Sequence, residues 1–256
     1  MLTEERHAFI IKKLTESDIV KSQDLMMELN CSESTIRRDL ALLEESGELI
    51  RVHGGAKRNY HLDEELDIVE KSAKNIVQKK AIAQLAASLV HNNDTIYIDA
   101  GSTTIEMIPF LTQKNITVVT NGVQHASLLA DYKINTILIG GQLKNTTKAI
   151  IGSTSIAELA RYQFDKTFLG MNGVHPKYGY TTPDPEEASL KSMALKQGFE
   201  TFILLDKSKF DKVNFTQVAS IESATILTET LNHIDYQSYF TKTKIIEVKI
   251  WFIRLH

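Results

Sequence analysis

The sequence predicts an α/β protein in two parts: an N-terminal winged helix-turn-helix, then a larger α/β domain with a mostly parallel sheet. Before residue 58, helical patterns are followed at once by a short hairpin pattern. From residue 94 onward, short apolar strands alternate with helices, which is typical of a parallel sheet covered on both faces. The chain has 256 residues, a length that suits two modest domains.

The stretch that begins at Ser32 predicts a helix with one apolar stripe. Ser32 is a favourable N-cap residue, because its hydroxyl can accept a free backbone N–H of the first turn. Ile36, Leu40 and Leu43 follow at the spacing i, i+4 and i+7. Gly47 then predicts the end of the helix.

This helix carries the residues that point to DNA. Helical patterns over 3–14 and 22–29 precede it, a short turn separates it from the second of them, and a hairpin follows it, as in a winged helix-turn-helix. The alternative interpretation is a surface helix whose arginines only face solvent. The helices before it and the hairpin after it favour the DNA-binding interpretation over this one. The predicted DNA contacts are Ser34, Thr35, Arg37 and Arg38 on the helix, with Arg51, His53 and Lys57 on the hairpin.

Charge by itself argues mildly against nucleic acid. The chain has a formal net charge of −3, and residues 1–58 hold nine Lys or Arg against eleven Asp or Glu. The basic side chains are concentrated on the predicted recognition helix and hairpin, whereas most acidic ones lie elsewhere. We therefore expect a local basic face on an acidic domain, with weak non-specific DNA affinity.

A residue pattern in this part resembles the N-terminal signature of the DeoR family of bacterial sugar-operon regulators. The resemblance implies operator double-stranded DNA as a partner. Cys31 stands where the family often has valine, and a cysteine fills the same small apolar space. The pattern consists of Thr35-Ile36-Arg37-Arg38-Asp39-Leu40, Leu43-Glu44, Gly47 and Arg51-Val52-His53-Gly54-Gly55-Ala56.

Composition indicates a globular protein of a reducing compartment. The hydrophobic fraction is 43%, and the single cysteine excludes an internal disulfide. The N-terminus has charged residues and no long apolar run, and no stretch approaches about 20 apolar residues. We therefore expect a cytoplasmic protein with no membrane partner.

The predicted domains are residues 1–57 for the winged helix-turn-helix and 76–248 for the α/β domain. Between them, residues 58–75 are polar and charged and predict a linker that becomes helical. Residues 249–256 form a tail with the only tryptophan, Trp251. This tail has three open interpretations, namely packing on the sheet, a place in a subunit interface, or an irregular extension.

Six apolar strands are predicted in the second domain, over 95–99, 116–120, 134–139, 164–169, 201–205 and 224–227. Unusual polar residues follow several of them. Because the carboxyl ends of parallel strands meet at one edge, we expect these residues to converge there on a ligand. They are Asp99 to Thr104, Thr120-Asn121-Gly122, Gly140-Gly141, Asn172-Gly173 and Asp206.

The segment from Asp99 to Thr104 predicts an anion site. It combines a carboxylate with a glycine turn, three hydroxyls and a helix start, where backbone N–H groups favour an anion. For an isolated loop, a capped helix after a glycine turn is the better interpretation. The convergence of the other strand ends favours a polar small-molecule pocket.

The second domain also resembles the DeoR-type effector domain over nearly all of residues 75–230. The resemblance implies a fold similar to ribose-phosphate isomerases and glucosamine-phosphate deaminases, and a phosphorylated sugar as effector. Segments 170–174 and 179–184 most resemble the fructose-operon repressors of the family, which would imply fructose 1-phosphate. The matching residues are those of the predicted pocket, together with Phe164-Asp165-Lys166 and Asp206-Lys207-Ser208-Lys209-Phe210.

The predicted effector site follows from chemical complementarity. A phosphate is expected to bind Gly101, Ser102, Thr103 and Thr104, with Lys209 neutralising part of its charge. Asp99, Asn121 and Asn172 are expected to meet sugar hydroxyls, and Gly141 completes the predicted site. Glu187 most simply starts a helix, although it could reach sugar hydroxyls. Lys191 could pair with a phosphate or face solvent, and solvent is the favoured interpretation.

The sequence therefore predicts a repressor that a sugar phosphate releases from DNA. The alternative is a sugar-phosphate isomerase with an appended helix-turn-helix, for which Asp99 and Asp206 offer carboxylates. An amide, Asn172, stands where the isomerase resemblance would want an acid. We expect no catalytic residues and no cofactor. No metal is expected either, since the eight histidines form no ligand cluster. A single winged module buries little surface, so we expect a homo-oligomer.

Overall fold

The computed structural model describes residues 2–17, 19–58, 68–231, 233–234 and 236–248. These residues belong to two compact units. The N-terminal unit comprises residues 1–61 and the C-terminal unit residues 62–256. The predicted tail, 249–256, and most of the predicted linker, 59–67, lie outside the described residues. The predicted domain boundaries stay predictions.

In its described residues, the N-terminal unit has three helices and a small antiparallel sheet of strand order β1-β3-β2. Its core is formed by Ile10, Leu25, Ile36, Leu40 and Leu49, among others. Its elements are α1 (Thr3–Ser17), β1 (Ile19–Lys21), α2 (Ser22–Leu29), α3 (Glu33–Glu45), β2 (Leu49–Val52) and β3 (Gly55–Arg58).

The recognition helix α3 begins and ends where the sequence predicts. The Ser32 hydroxyl accepts the N–H of Thr35 at 3.3 Å, and Gly47 follows the helix with a φ of +79°. The stripe of Ile36, Leu40 and Leu43 is buried. These predictions are confirmed. The bounds and the buried face of α3 are thus set by local signals.

Strand β1 has no counterpart in the prediction. Only three residues long, it exists because Val20 pairs with Ala56 of β3, a contact that no local pattern reveals. The same pairing explains Gly55: a Cβ atom there would lie 2.0 Å from the Val20 carbonyl oxygen. Gly54 forms the preceding turn with a φ of +79°.

The C-terminal unit contains the remaining elements. Its helices are α4 (Ile68–Ala73), α5 (Ile76–Ser88), α6 (Val123–Asp131), α7 (Ser153–Leu159), α8 (Pro185–Gln197) and α9 (Gln237–Phe240). Its strands are β4 (Thr95–Ile98), β5 (Thr117–Thr120), β6 (Asn135–Leu138), β7 (Gln142–Leu143), β8 (Ile150–Ile151), β9 (Phe164–Gly170), β10 (Gly173–His175), β11 (Gly179–Thr182), β12 (Gly198–Leu204), β13 (Thr216–Ala219), β14 (Thr225–Glu229) and β15 (Ile245–Val248).

Seven of these strands form one parallel sheet of order β15-β14-β12-β9-β4-β5-β6. Alternate residues of β4 point to opposite faces: Tyr97 joins one apolar cluster with α7 and α8, and Ile98 joins another with α5. The predicted parallel sheet with helices on both faces is confirmed. The two faces therefore bring different helices to the carboxyl edge.

The structure differs from the prediction in three places. The helix expected after Thr104 is a 3-10 helix over Ile105–Phe110, and its Pro109 lacks the N–H that an α-helix would use. A seventh strand, β15, extends the sheet at one edge. Two antiparallel sheets, β10-β11-β13 and β7-β8, complete the unit. Their strands are only two to four residues long, so local periodicity gave no signal.

Within the described residues, no helix combines the length and apolarity needed to cross a membrane.

Candidate functional site

The first candidate site is the exposed face of α3 with the β2–β3 hairpin. Arg37 and Arg38 are exposed, and within the described residues neither guanidinium has a hydrogen-bond or ion-pair partner. Arg37 lines a groove together with Arg51 and His53 of the hairpin, and Lys57 is exposed on β3. Arg37, Arg51 and His53 thus share one surface of the N-terminal unit.

Two of the predicted DNA contacts have a local structural role. The hydroxyls of Ser34 and Thr35 each lie 2.9 Å from the Ser32 hydroxyl at the start of α3. They belong to the hydrogen-bonded cap of the helix. Arg51 is also held locally, since its backbone N–H donates to Glu44 at 2.9 Å.

Asp39 anchors the recognition helix, a role that sequence reasoning missed. Its carboxylate is 1% exposed and accepts two hydrogen bonds from Arg6 of α1, at 2.7 and 3.0 Å, with His7 at 3.2 Å. Burial alone would raise the pKa of Asp39, but these partners hold it below its ordinary value. The sequence did contain a signal for this role. Asp39 falls on the apolar stripe between Ile36 and Leu43, where a carboxylate is buried and needs a partner.

The second candidate site is a pocket at the carboxyl edge of the parallel sheet. Side chains from both faces of the sheet surround it. Six of the nine predicted effector residues line it, whereas Thr104, Asn121 and Gly141 do not. The lining residues are Ile68, Lys71, Asp99, Ala100, Gly101, Ser102, Thr103, Thr147, Gly170, Met171, Asn172, Glu187, Lys191, Leu204, Asp206 and Lys209.

The turn after β4 presents unoccupied backbone donors. Gly101 donates its N–H to the Asp99 carbonyl at 2.8 Å, which closes the turn. The next three N–H groups, those of Ser102, Thr103 and Thr104, have no acceptor within the described part of the chain. Three successive free N–H groups before a helix form an arrangement that favours an anion.

The Thr104 hydroxyl supports this turn from behind. It is fully buried, donates to the carbonyl oxygen of Asp99 at 2.5 Å, and lies 3.1 Å from Nε2 of His125. Burial lowers the pKa of His125 to about 4, so this imidazole stays neutral. The predicted contact between the Thr104 hydroxyl and a ligand is therefore corrected: the hydroxyl positions the turn.

Asn121 and Gly141 are also structural. The Asn121 side chain accepts from the Tyr97 hydroxyl and from the Ala100 N–H, both at 3.0 Å, and donates to the Ile150 carbonyl at 3.1 Å. Its polar atoms are consequently occupied. Gly141 has a φ of +150°, and a Cβ atom there would lie 2.0 Å from the Ser155 hydroxyl. Neither residue lines the pocket.

Cationic side chains gather beside the free N–H groups. Lys79 of α5 is 3% exposed and donates to the Ser102 hydroxyl at 3.0 Å and to the Lys71 carbonyl. Lys209 is half-buried, and its ammonium has no hydrogen-bond acceptor within the described residues. Burial lowers the pKa of Lys209, and the charge of Asp206 opposes this shift. The sequence signal for Lys79 was a lysine on the apolar face of an alanine-rich helix.

The α8 side of the pocket holds an ion pair. Lys191 is 6% exposed, and its ammonium donates to Oδ2 of Asp99 and to the Gly170 carbonyl at 3.0 Å. The prediction that Lys191 faces solvent is wrong. The reason is tertiary, because α8 packs over the sheet and directs this side chain to the end of β4.

Glu187 lies one turn before Lys191 on α8 and is also buried. Its Oε1 accepts the Thr147 hydroxyl at 2.7 Å and lies 3.2 Å from the Lys144 ammonium. Lys144 in turn pairs with Asp184 at 2.6 Å. Asn172 completes this side, with its Oδ1 accepting the Thr182 hydroxyl at 3.0 Å.

No metal centre is evident in the described ranges, where no three His, Cys, Asp or Glu side chains are grouped to hold an ion.

Comparison with known proteins identifies both units. Residues 6–61 match the DeoR-like helix-turn-helix domain, and residues 74–230 match the DeoR C terminal sensor domain. The chain belongs to the DeoR family. It is therefore a DNA-binding transcriptional regulator whose pocket lies in a sensor domain.

Several DeoR-family relatives are similar over nearly the whole chain. The uncharacterized HTH-type transcriptional regulator FruR of Bacillus subtilis is 48% identical over 97% of this chain and 100% of its own length. The HTH-type transcriptional regulator GlpR of Haloferax volcanii is 34% identical over 87% and 88%. A lactose phosphotransferase system repressor of Staphylococcus aureus is 29% identical over 95% and 98%.

Among solved structures, this DeoR-family chain is similar to ribose 5 phosphate isomerase A from Neisseria gonorrhoeae. The likeness has a TM-score of 0.39 and 19% identity, and it covers 52% of each chain. It is too distant to bear on function, which rests on the site itself.

Proposed function

We propose that this DeoR-family regulator represses a sugar-utilisation operon and leaves its operator when a phosphorylated sugar enters the sensor pocket. The observation that carries the proposal is the run of three free N–H groups at Ser102, Thr103 and Thr104 beside the Lys209 ammonium. A phosphate dianion satisfies both kinds of donor at once. Free hydroxyls on the same ligand suit the carboxylates across the pocket.

The sugar is proposed to be fructose 1-phosphate. Support comes from the 48% identity to the B. subtilis regulator named FruR and from the resemblance of residues 170–174 and 179–184 to fructose-operon repressors. The proposal of repression, as opposed to activation, is supported by the S. aureus relative named a repressor.

On the DNA side, Arg37 and Arg38 are proposed to act at the major groove, one toward base edges and one toward phosphate. Both are exposed and unpaired within the described residues, as a DNA contact requires. Arg51, His53 and Lys57 are proposed to contact the backbone from the hairpin. Paired half-sites on the operator would match a homo-oligomer of at least two chains.

Helix α4 is proposed to carry the signal, because it lines the pocket and lies within the predicted linker. Ile68 and Lys71 belong to the pocket wall, and the Ile68 N–H donates to the Thr146 carbonyl at 3.1 Å. Lys79 joins the Lys71 carbonyl to Ser102. A ligand at Ser102 therefore acts on the first described helix after the DNA-binding unit. Such coupling requires that ligand and operator prefer different conformations.

We place the protein in the cytoplasm, where operator DNA and sugar phosphates are both found. We do not assign an enzymatic activity. The amide of Asn172 cannot act as a base, and Asp99 is engaged by Lys191. Turnover of aldose phosphates by the purified protein would revive the isomerase alternative.

The test is a gel shift with the DNA upstream of the protein's own gene and a panel of sugar phosphates. Fructose 1-phosphate should release the wild-type protein. Thr103→Ala should need about ten-fold to a hundred-fold more inducer, because a lost hydrogen bond to a charged group costs about 1.5–3 kcal/mol. Gly101→Val should respond even less, since a Cβ atom at residue 101 would lie only 3.0 Å from the Thr104 hydroxyl and press on it.

Thr112→Ala, on an exposed residue away from the pocket, is the matched control. Calorimetry of the full chain measures binding directly. Parental affinity in both pocket variants would show that the phosphate binds elsewhere. Binding of a different sugar phosphate in place of fructose 1-phosphate would refute only the choice of sugar.

A further inference from the structure

The two faces of the sheet give the pocket two chemically different walls. From the α5 face comes the turn with free N–H groups, whose Ser102 hydroxyl accepts from Lys79 behind it. From the α8 face come Glu187 and the Asp99–Lys191 pair. One side of the pocket therefore offers donors and positive charge, and the other offers carboxylate oxygens.

On the α8 side, buried polar atoms lack partners. Asp99 is 2% exposed and Glu187 is 6% exposed. Their Oδ2 and Oε1 atoms are engaged, whereas Oδ1 of Asp99 and Oε2 of Glu187 have no hydrogen-bond donor within the described residues. Unpaired buried polar atoms are costly, so these atoms point to a ligand.

We infer that the two carboxylates of the α8 wall, Asp99 and Glu187, accept only hydrogen-bond donors, and that Glu187 selects a sugar monophosphate whose other end carries free hydroxyls. An ionised carboxylate is purely an acceptor, so a ligand group opposite it must bring an O–H. This inference rests on the proposed function, because it assumes that a sugar phosphate occupies the pocket.

The same wall disfavours a second phosphate. A phosphate there would face the carboxylates of Asp99 and Glu187 at close range. The nearby cations are already engaged, since Lys191 pairs with Asp99, and Lys144 is shared between Asp184 and Glu187. The pocket therefore discriminates by charge at its hydroxyl end, in addition to binding phosphate at the other.

The β7–β8 hairpin positions Glu187 for this role. Thr147, from the loop between these strands, donates to Oε1 and lines the pocket beside it. With Oε1 fixed in this way, Oε2 is the oxygen that remains for the ligand. Thr147 is thus a positioning residue, which acts through Glu187.

The experiment is calorimetry of the full chain with fructose 1-phosphate, fructose 1,6-bisphosphate and inorganic phosphate. Wild type should bind the monophosphate at least about ten-fold more tightly than the bisphosphate. Glu187→Gln should weaken the binding of the monophosphate about ten-fold. It should also narrow the preference for the monophosphate over the bisphosphate, because the charge that repels the second phosphate is gone. Glu186→Gln, on the exposed neighbour, is the matched control. It should keep both the wild-type affinity for the monophosphate and the wild-type preference over the bisphosphate.

The outcomes separate this inference from the proposed function. Bisphosphate binding equal to or tighter than monophosphate binding in wild type would overturn the inference alone, and this comparison needs no variant. An unchanged preference in a folded Glu187→Gln protein would overturn the role of Glu187. Failure of every sugar phosphate to bind would instead overturn the proposed function.

Discussion

Arg37 and Arg38 are neighbours on α3, and the structure gives neither a partner within the described residues. Asp39, the next residue, is buried and paired with Arg6. Three consecutive charged residues thus divide between two roles. Their position relative to the apolar stripe of α3 decides which side chain faces the core and which two remain available to DNA.

At the residue scale, Arg37→Ala and Arg38→Ala should each weaken operator binding. The expected cost is about 1–3 kcal/mol for a lost bidentate base contact. Loss of the phosphate-contacting arginine should weaken binding to all DNA sequences alike and reduce the salt dependence of that binding. Loss of the base-contacting arginine should instead relax the specificity for the operator sequence. Gel shifts at several salt concentrations distinguish the two.

Arg161→Ala, an exposed arginine of the sensor unit, is the control for this pair. If the double variant Arg37→Ala/Arg38→Ala binds the operator as tightly as wild type, α3 does not contact DNA through these arginines.

At the scale of elements, the packing of α1 against α3 depends on a buried ion pair. Arg6 and His7 of α1 both reach the Asp39 carboxylate of α3. Breaking a buried pair from one side leaves an uncompensated charge, which costs more than the pair itself contributes. The recognition helix therefore owes its orientation to a polar contact as well as to the apolar core.

Asp39→Asn should destabilise the N-terminal unit by about 1.5–3 kcal/mol, because the buried side chain at residue 39 loses its charged hydrogen bonds to Arg6. The pKa of Asp39 is lowered in the folded state. The ionised carboxylate therefore contributes fully to the free energy of unfolding above the ordinary pKa of 3.8, and this contribution is lost as the pH falls through the pKa of the folded state. The variant should lack this acid-dependent loss.

Urea denaturation followed by circular dichroism measures the change, and hydrogen exchange of residues 3–17 and 33–45 assigns it to this unit. Asp24→Asn, on an exposed residue of α2, is the control. Equal stability of wild type and Asp39→Asn near neutral pH would show that the ion pair contributes nothing to this packing.

At the scale of the whole molecule, a regulator of this kind couples two ligands. If effector lowers operator affinity by a given factor, operator must lower effector affinity by the same factor. Coupling energies are typically about 1–3 kcal/mol, or roughly 5-fold to 150-fold. The two affinities therefore test one mechanism from both ends.

Fructose 1-phosphate should bind the free protein at least about five-fold more tightly than the operator-bound protein. Calorimetry with and without operator DNA measures this difference, and DNA of unrelated sequence is the control. Equal effector affinity in the presence and absence of operator would exclude release by this ligand, even if the ligand binds.

Local sequence determined much of this protein. The cap at Ser32, the stripe of Ile36, Leu40 and Leu43, and the apolar strands of the large sheet depend on neighbours in the chain, so they were predictable. The free N–H groups of the turn after β4 were also predictable, because a glycine turn after a buried strand places its own backbone N–H groups.

Tertiary structure decided which side chains reach the pocket and which support it. Thr104 and Asn121 carry a hydroxyl and an amide that could bind a ligand, but their polar atoms are already hydrogen-bonded within the protein. Lys79 and Lys191 looked ordinary on their helices, and packing of α5 and α8 on opposite faces of the sheet buries both at its carboxyl edge. The physical reason is that burial and pairing depend on segments distant in the chain, which no local pattern contains.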